Sequence, residues 1–73
     1  MPKLPAVKPK ELIRRLEKIG FVVDHQTGSH VVMYHENSGK RAVIPYRLKE
    51  LPKGTLLAII RESGVPKDEI LEK

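Results

Sequence analysis

Between Phe21 and Ile44, three short runs rich in β-branched and aromatic residues are cut apart by two turn segments, and this alternation constrains the fold more than any other feature of the chain. Phe21-Val22-Val23-Asp24-His25-Gln26 runs into Thr27-Gly28-Ser29, and His30-Val31-Val32-Met33-Tyr34-His35 runs into Glu36-Asn37-Ser38-Gly39-Lys40. The third run is Arg41-Ala42-Val43-Ile44, closed by Pro45, which has no N–H to give to a ladder. Three antiparallel strands are the expected result. Side chains alternate across a strand, so one face of such a meander can bury apolar groups against helices while the other stays open to a ligand. Val31-Val32-Met33 is apolar on both parities, and the pattern leaves open which face is which.

The flanking segments have helical spacing. Pro9 suits the first helical position, Leu12, Ile13, Leu16 and Ile19 recur on one face, and Gly20 is a natural left-handed terminator. The opposite face carries Lys10, Arg14, Lys18 and, nearby, Arg15, which reads either as an ordinary solvated face or as a surface that tracks RNA. After a loop from Tyr46 to Leu51, a second helix starts near Pro52 to Thr55 and runs through Leu56, Leu57, Ala58, Ile59, Ile60 and Arg61 to Ser63, with Gly64 as its stop. Pro66 then opens a short C-terminal helix, Lys67-Asp68-Glu69-Ile70-Leu71, whose early acids suit the positive end of a helix dipole. The expected class is α+β with the order α-β-β-β-α and a small extra helix. Met1 to Lys8, with Pro2 and Pro5 and no apolar periodicity, reads as a flexible arm, and residues 9–73 as one domain.

With 73 residues the chain holds a single domain, and at this size only about 60% of the unfolded surface is buried on folding. The absence of Cys removes disulfides, thiolate metal sites and a Cys nucleophile together. The longest apolar stretch, Leu56 to Ile60, is far short of the roughly 20 residues that cross a bilayer, and Met1 to Pro9 lacks a signal-peptide core, so the expectation is a cytoplasmic protein with no membrane partner. A net charge of +5 points to a polyanion, with nucleic acid the leading candidate, although a scattered excess of lysine also serves solubility alone.

His25, His30 and His35 are spaced five apart, which suggests a metal site, but consecutive members have opposite parity along the strands, and there is no Cys to complete a zinc set. No metal or other cofactor is expected. His30 stands where the Gly28-Ser29 turn enters a strand, a position from which its ring can reach substrate at the sheet rim. A histidine accepts and returns protons at cellular pH, as cleavage of RNA by its own 2′-hydroxyl requires, and such general acid–base steps are typically worth about 10²–10⁴-fold each without a metal. Taken alone, a strand histidine can equally be an exposed bystander. Gly28 and Ser29 could hold a phosphate beside it or form a plain hairpin turn. Lys49, Lys53, Gly54 and Thr55 cluster where the second helix begins, where free amides and the dipole attract anions; in the competing reading Thr55 or a neighbour caps the helix and the lysines are solvated.

Gly28-Ser29-His30 after a helix and strand, Ile44-Pro45 closing the third strand, and Glu50-Leu51-Pro52-Lys53-Gly54-Thr55-Leu56 opening the second helix together resemble the HicA family of toxins. The resemblance runs from Glu11-Leu12 and Leu16-Glu17-Lys18-Ile19-Gly20-Phe21 to Ile59-Ile60-Arg61-Glu62-Ser63-Gly64-Val65. It implies a fold similar to the double-stranded-RNA-binding domain, with the sheet packed on two helices. It also implies a messenger-RNA interferase, an endoribonuclease whose essential histidine is that of the Gly-Ser-His motif, His30 here, and which a HicB antitoxin neutralises by covering the active region. The family often carries a second histidine shortly after the proline of the third strand; Tyr46 and Arg47 stand there instead. Arg47 could stabilise phosphate charge but cannot serve as a general acid at cellular pH.

The functional expectation is therefore a toxin, monomeric when free, that cleaves RNA through His30, with Gly28, Ser29, Arg47, Lys49 and Lys53 on the RNA. A non-catalytic RNA-binding module of the same fold is the alternative. A third reading is an interaction protein that has lost activity through Tyr46-Arg47 and binds only its antitoxin.

Overall fold

A computed structural model describes residues 6–71. The order is α1 (Pro9–Ile19), β1 (Phe21–Thr27), β2 (His30–His35), β3 (Arg41–Pro45), α2 (Lys53–Ser63) and α3 (Lys67–Leu71), an α+β arrangement that matches the expected α-β-β-β-α with its extra helix. Pro9 occupies the first turn of α1, Glu11 lies in that turn and Lys18 in the last, so both charges complement the helix dipole. Gly20 ends the helix with φ 118°, its N–H donating to Glu17 O at 3.1 Å. A Cβ at Gly20 would lie 2.9 Å from His35 Nε2, so glycine is favoured there by backbone conformation and by close approach together.

The strands form an antiparallel meander with β2 in the centre. Their register resolves the parity that the apolar run leaves open. Val31 pairs with Ile44 and Met33 with Ala42, and all four are buried under the helices. His30, Val32 and Tyr34 therefore point to the opposite, open face, as do their β3 partners Pro45, Val43 and Arg41. The core joins Leu12 and Leu16 of α1, Phe21, Val31, Met33, Ala42 and Ile44 of the sheet, Leu56, Ile59 and Ile60 of α2, and Ile70 of α3.

Two contacts tie the ends of the chain to this core. Arg15 Nη1 donates to the carbonyls of Ile70 (3.0 Å) and Leu71 (3.2 Å), with Glu11 steadying the guanidinium at 3.3 Å, so this member of the basic face anchors α3. Residues 1–5 of the expected arm lie outside the described residues. Within the rest of that segment, Val7 is only 2% exposed, and its carbonyl accepts the Leu51 N–H at 2.9 Å. A single valine has no periodic signal, but burying it and satisfying its carbonyl are both favourable. At the end of α2, buried Ser63 donates to Ile60 O (2.6 Å) and accepts the Val65 N–H (3.2 Å), which turns the chain toward α3.

Candidate functional site

The turn between β1 and β2 has Gly28 at its first central position with φ 53°, the positive value that tight two-residue hairpins demand. Thr27 and His30 pair across it, and His30 in turn pairs with Pro45 of β3. His30 is thus the first residue of the central strand, exposed, on the open face, with a neighbour on each side. The Ser29 hydroxyl lies 3.3 Å from His30 Nδ1, which leaves Nε2 free to meet a substrate.

One backbone bond joins this turn to the segment after β3. Tyr46 N–H donates to Ser29 O at 2.6 Å, so Tyr46 and its neighbour Arg47 are held beside Gly28-Ser29-His30 although they are far from it in sequence. Arg47 is exposed. Lys49 and Lys53 lie further along the same connection, also exposed, and among the described residues no hydrogen bond links either to the turn. Helix α2 starts from Pro52 with no side-chain cap, so Thr55 does not cap it, and the competing reading of that residue is corrected. No side chain caps its first amides, and Lys53 and Gly54 beside them are exposed.

The three histidines have three different environments. His35 faces the helices: its ring meets Phe21 edge-on with centroids 5.0 Å apart, and its Nδ1 accepts the Ser38 N–H at 3.2 Å. That is a packing role, and it separates His35 from the other two by the thickness of the sheet. The expectation that His25 and His30 have opposite parity is overturned. In a hairpin with a two-residue turn, facing is set by the cross-strand partner rather than by counting along the chain; His25 pairs with Val32, so it shares the open face with His30. Among the described residues, no group of three or more His, Cys, Asp or Glu side chains converges in a way that could hold a metal.

Sequence reasoning missed Asp24. The register shifts between Val23 and His25, leaving Asp24 as an extra residue in β1. Its carboxylate accepts from His25 Nδ1 at 2.8 Å, a contact between sequence neighbours that a regular strand forbids because their side chains point to opposite faces. The available signal was length: β1 has 7 residues against 6 in the strand it pairs with. At the far end of the open face the Arg41 guanidinium lies over the Tyr34 ring, 5.4 Å from its centroid, and Val22 and Val43 remain exposed between the charged groups.

An open-faced three-stranded sheet with an exposed histidine at the head of its central strand, backed by helices on one side only, defines a small α+β domain built to present that face. Residues 9–65, more than three quarters of the chain, match the family described as the HicA toxin of bacterial toxin–antitoxin, and the protein belongs to that family. It is accordingly a toxin of a toxin–antitoxin pair, with a cognate antitoxin as its partner. Comparison with curated proteins gave no match. Among the described residues, no helix is long and apolar enough to cross a membrane.

Proposed function

We propose that this toxin is a cytoplasmic, metal-independent endoribonuclease that cleaves messenger RNA with His30 as its acid–base residue and is inhibited by a HicB-type antitoxin. The observation that carries the reading is the placement of His30: exposed on the open face at the head of the central strand, with the Ser29 hydroxyl 3.3 Å from its Nδ1. In this reading unpaired RNA lies across the open face, where Tyr34 under Arg41 offers a surface for base stacking and the valines offer apolar contact. Gly28 and Ser29 approach the scissile phosphate through their backbone, Arg47 neutralises its charge, and Lys49 and Lys53 hold phosphates along the connection to α2. His30 Nε2 takes the 2′-hydroxyl proton as that oxygen attacks phosphorus, chemistry that requires no metal. Family membership and a net charge of +5 support an RNA substrate, and the likeness to double-stranded-RNA-binding domains belongs to the same proposal.

The test is induced expression of the native chain and of His30→Ala, with growth and total RNA followed in both. Growth arrest and messenger decay from the native chain, persisting in purified reactions with chelator present, are expected to vanish in the variant. Full cleavage by folded His30→Ala would sink the mechanism. If the purified native chain binds RNA with salt-dependent affinity and leaves it intact, the protein is a binding module.

A further inference from the structure

Cleavage by the 2′-hydroxyl needs two proton transfers on opposite sides of phosphorus. The attacking 2′-oxygen and the departing 5′-oxygen take opposite apices, so a group that receives a proton at one cannot at the same moment deliver a proton at the other. His30 accounts for one. The segment after Pro45 has Tyr46 and Arg47, and a guanidinium does not give up its proton at cellular pH.

The open face holds a second imidazole. His25 stands opposite Val32, two positions along β2 from His30, and such diagonal neighbours on paired antiparallel strands lie about 7–8 Å apart. Two rings projecting from the same face at that separation can bracket one phosphate. The ring of His25 is oriented as well as exposed: Asp24 holds Nδ1 at 2.8 Å, with the two side chains 51% and 47% exposed, and this fixes Nε2 as the free nitrogen. The β-bulge makes that arrangement possible. Phe21 and His25 are four residues apart and would share a face in a regular strand, yet Phe21 is buried in the core and His25 faces out, because the register shifts at Asp24. Both side chains are exposed and neither is a member of the core cluster, so burial in the core does not account for them.

We propose that His25, positioned by Asp24, is the general acid that partners His30 in RNA cleavage; the inference rests on the ribonuclease reading above. As the O2′–P bond forms, the 2′ proton passes to His30 Nε2. The P–O5′ bond breaks with its electron pair going to O5′, which takes the proton from Nε2 of protonated His25. The products are a 2′,3′-cyclic phosphate and a free 5′-hydroxyl, and the two histidines exchange protons with water before the next turnover. No oxidant, reductant or further reactant enters.

The experiment measures single-turnover cleavage of a short RNA, and of the same RNA with sulfur replacing the bridging 5′-oxygen at the scissile bond, a leaving group that departs without a proton. His25→Ala is expected to slow cleavage of ordinary RNA by about 10²-fold or more and of the sulfur substrate by less than about tenfold, whereas His30→Ala slows both. Asp24→Ala should slow ordinary RNA less than His25→Ala does, and Asp24→Asn, which still accepts from the ring, should recover most of that loss. Circular dichroism of each variant establishes that it is folded, as the exposure of both side chains leads one to expect. Native-rate cleavage of ordinary RNA by His25→Ala, or equal losses on the two substrates, overturns the acid role while leaving His30 in place. A native chain that cleaves neither substrate overturns the ribonuclease reading itself.

Discussion

Replacing Gly20 by alanine tests how the end of α1 and the inner face of the sheet depend on each other. At φ 118° an L side chain is strained by about 1–2 kcal/mol. The added Cβ would also stand 2.9 Å from His35 Nε2, so the ring must shift, which disturbs its edge-on contact with Phe21. An edge-on aromatic contact of that kind contributes about 0.5–1.5 kcal/mol, which brings the expected cost of Gly20→Ala to about 1.5–3.5 kcal/mol. A domain of this size holds only about 4–11 kcal/mol in total, and each kcal/mol moves its melting temperature by about 4–8 °C, so the loss is large enough to measure and small enough to leave a folded protein. The assay is urea denaturation of the native chain, Gly20→Ala, His35→Ala and the double variant, read as midpoints at constant m. In the double variant the clash is gone and only backbone strain remains, so its cost should fall short of the sum of the singles by about 0.5–1.5 kcal/mol. Additivity within about 0.3–0.5 kcal/mol would refute the reasoning, because it would mean that the ring and the glycine do not meet.

Three further outcomes are expected. Arg15→Met keeps the apolar stem but removes the donors to Ile70 and Leu71; with the side chain 27% exposed the cost is about 1–2 kcal/mol, and hydrogen exchange should accelerate in α3 while α2 is unchanged. Uniform acceleration would remove the anchor role. Ser63→Ala deprives the Val65 N–H of its acceptor and should lower stability by about 1–2 kcal/mol in thermal melts, an unchanged melting temperature arguing against that bond. In a His30→Ala background, where RNA survives, adding Lys53→Ala should weaken RNA binding and reduce the slope of log affinity against log salt by about 0.7, and an unaltered slope takes Lys53 off the RNA.

The parts of the fold that were legible in the sequence are those written in local chemistry. Pro9 and Gly20 bound α1, Gly28 marks the hairpin, Pro45 ends β3 and Gly64 stops α2, each because its backbone preference leaves few alternatives. The sheet face was not legible, because Val31, Val32 and Met33 are all apolar and only pairing with Ile44 and Ala42 distinguishes them. Arg15 reads locally as the partner of Glu11 four residues earlier, and this conceals its bonds to carbonyls more than fifty residues away. Val7 was hidden among prolines for the same reason, since its partner Leu51 is distant in sequence. At the candidate site, Gly28, Ser29 and His30 form one consecutive motif and could be found together. Tyr46 reaches them only through a tertiary backbone bond, and His25 through a register that counting along the chain misjudges.

The bulge at Asp24 also bears on how this hairpin tolerates changes in length. Every residue of β2 from His30 to His35 already has a partner in β1 without Asp24, so the extra residue is an insertion into a hairpin that would otherwise close flush. Removing it leaves all six cross-strand pairs in place and His25 still facing outward, and takes away only the carboxylate beside its ring. The strand pairing itself therefore sets no requirement for a residue at this point. Loss of that one residue would change the chemistry beside the imidazole while leaving the register of the hairpin intact.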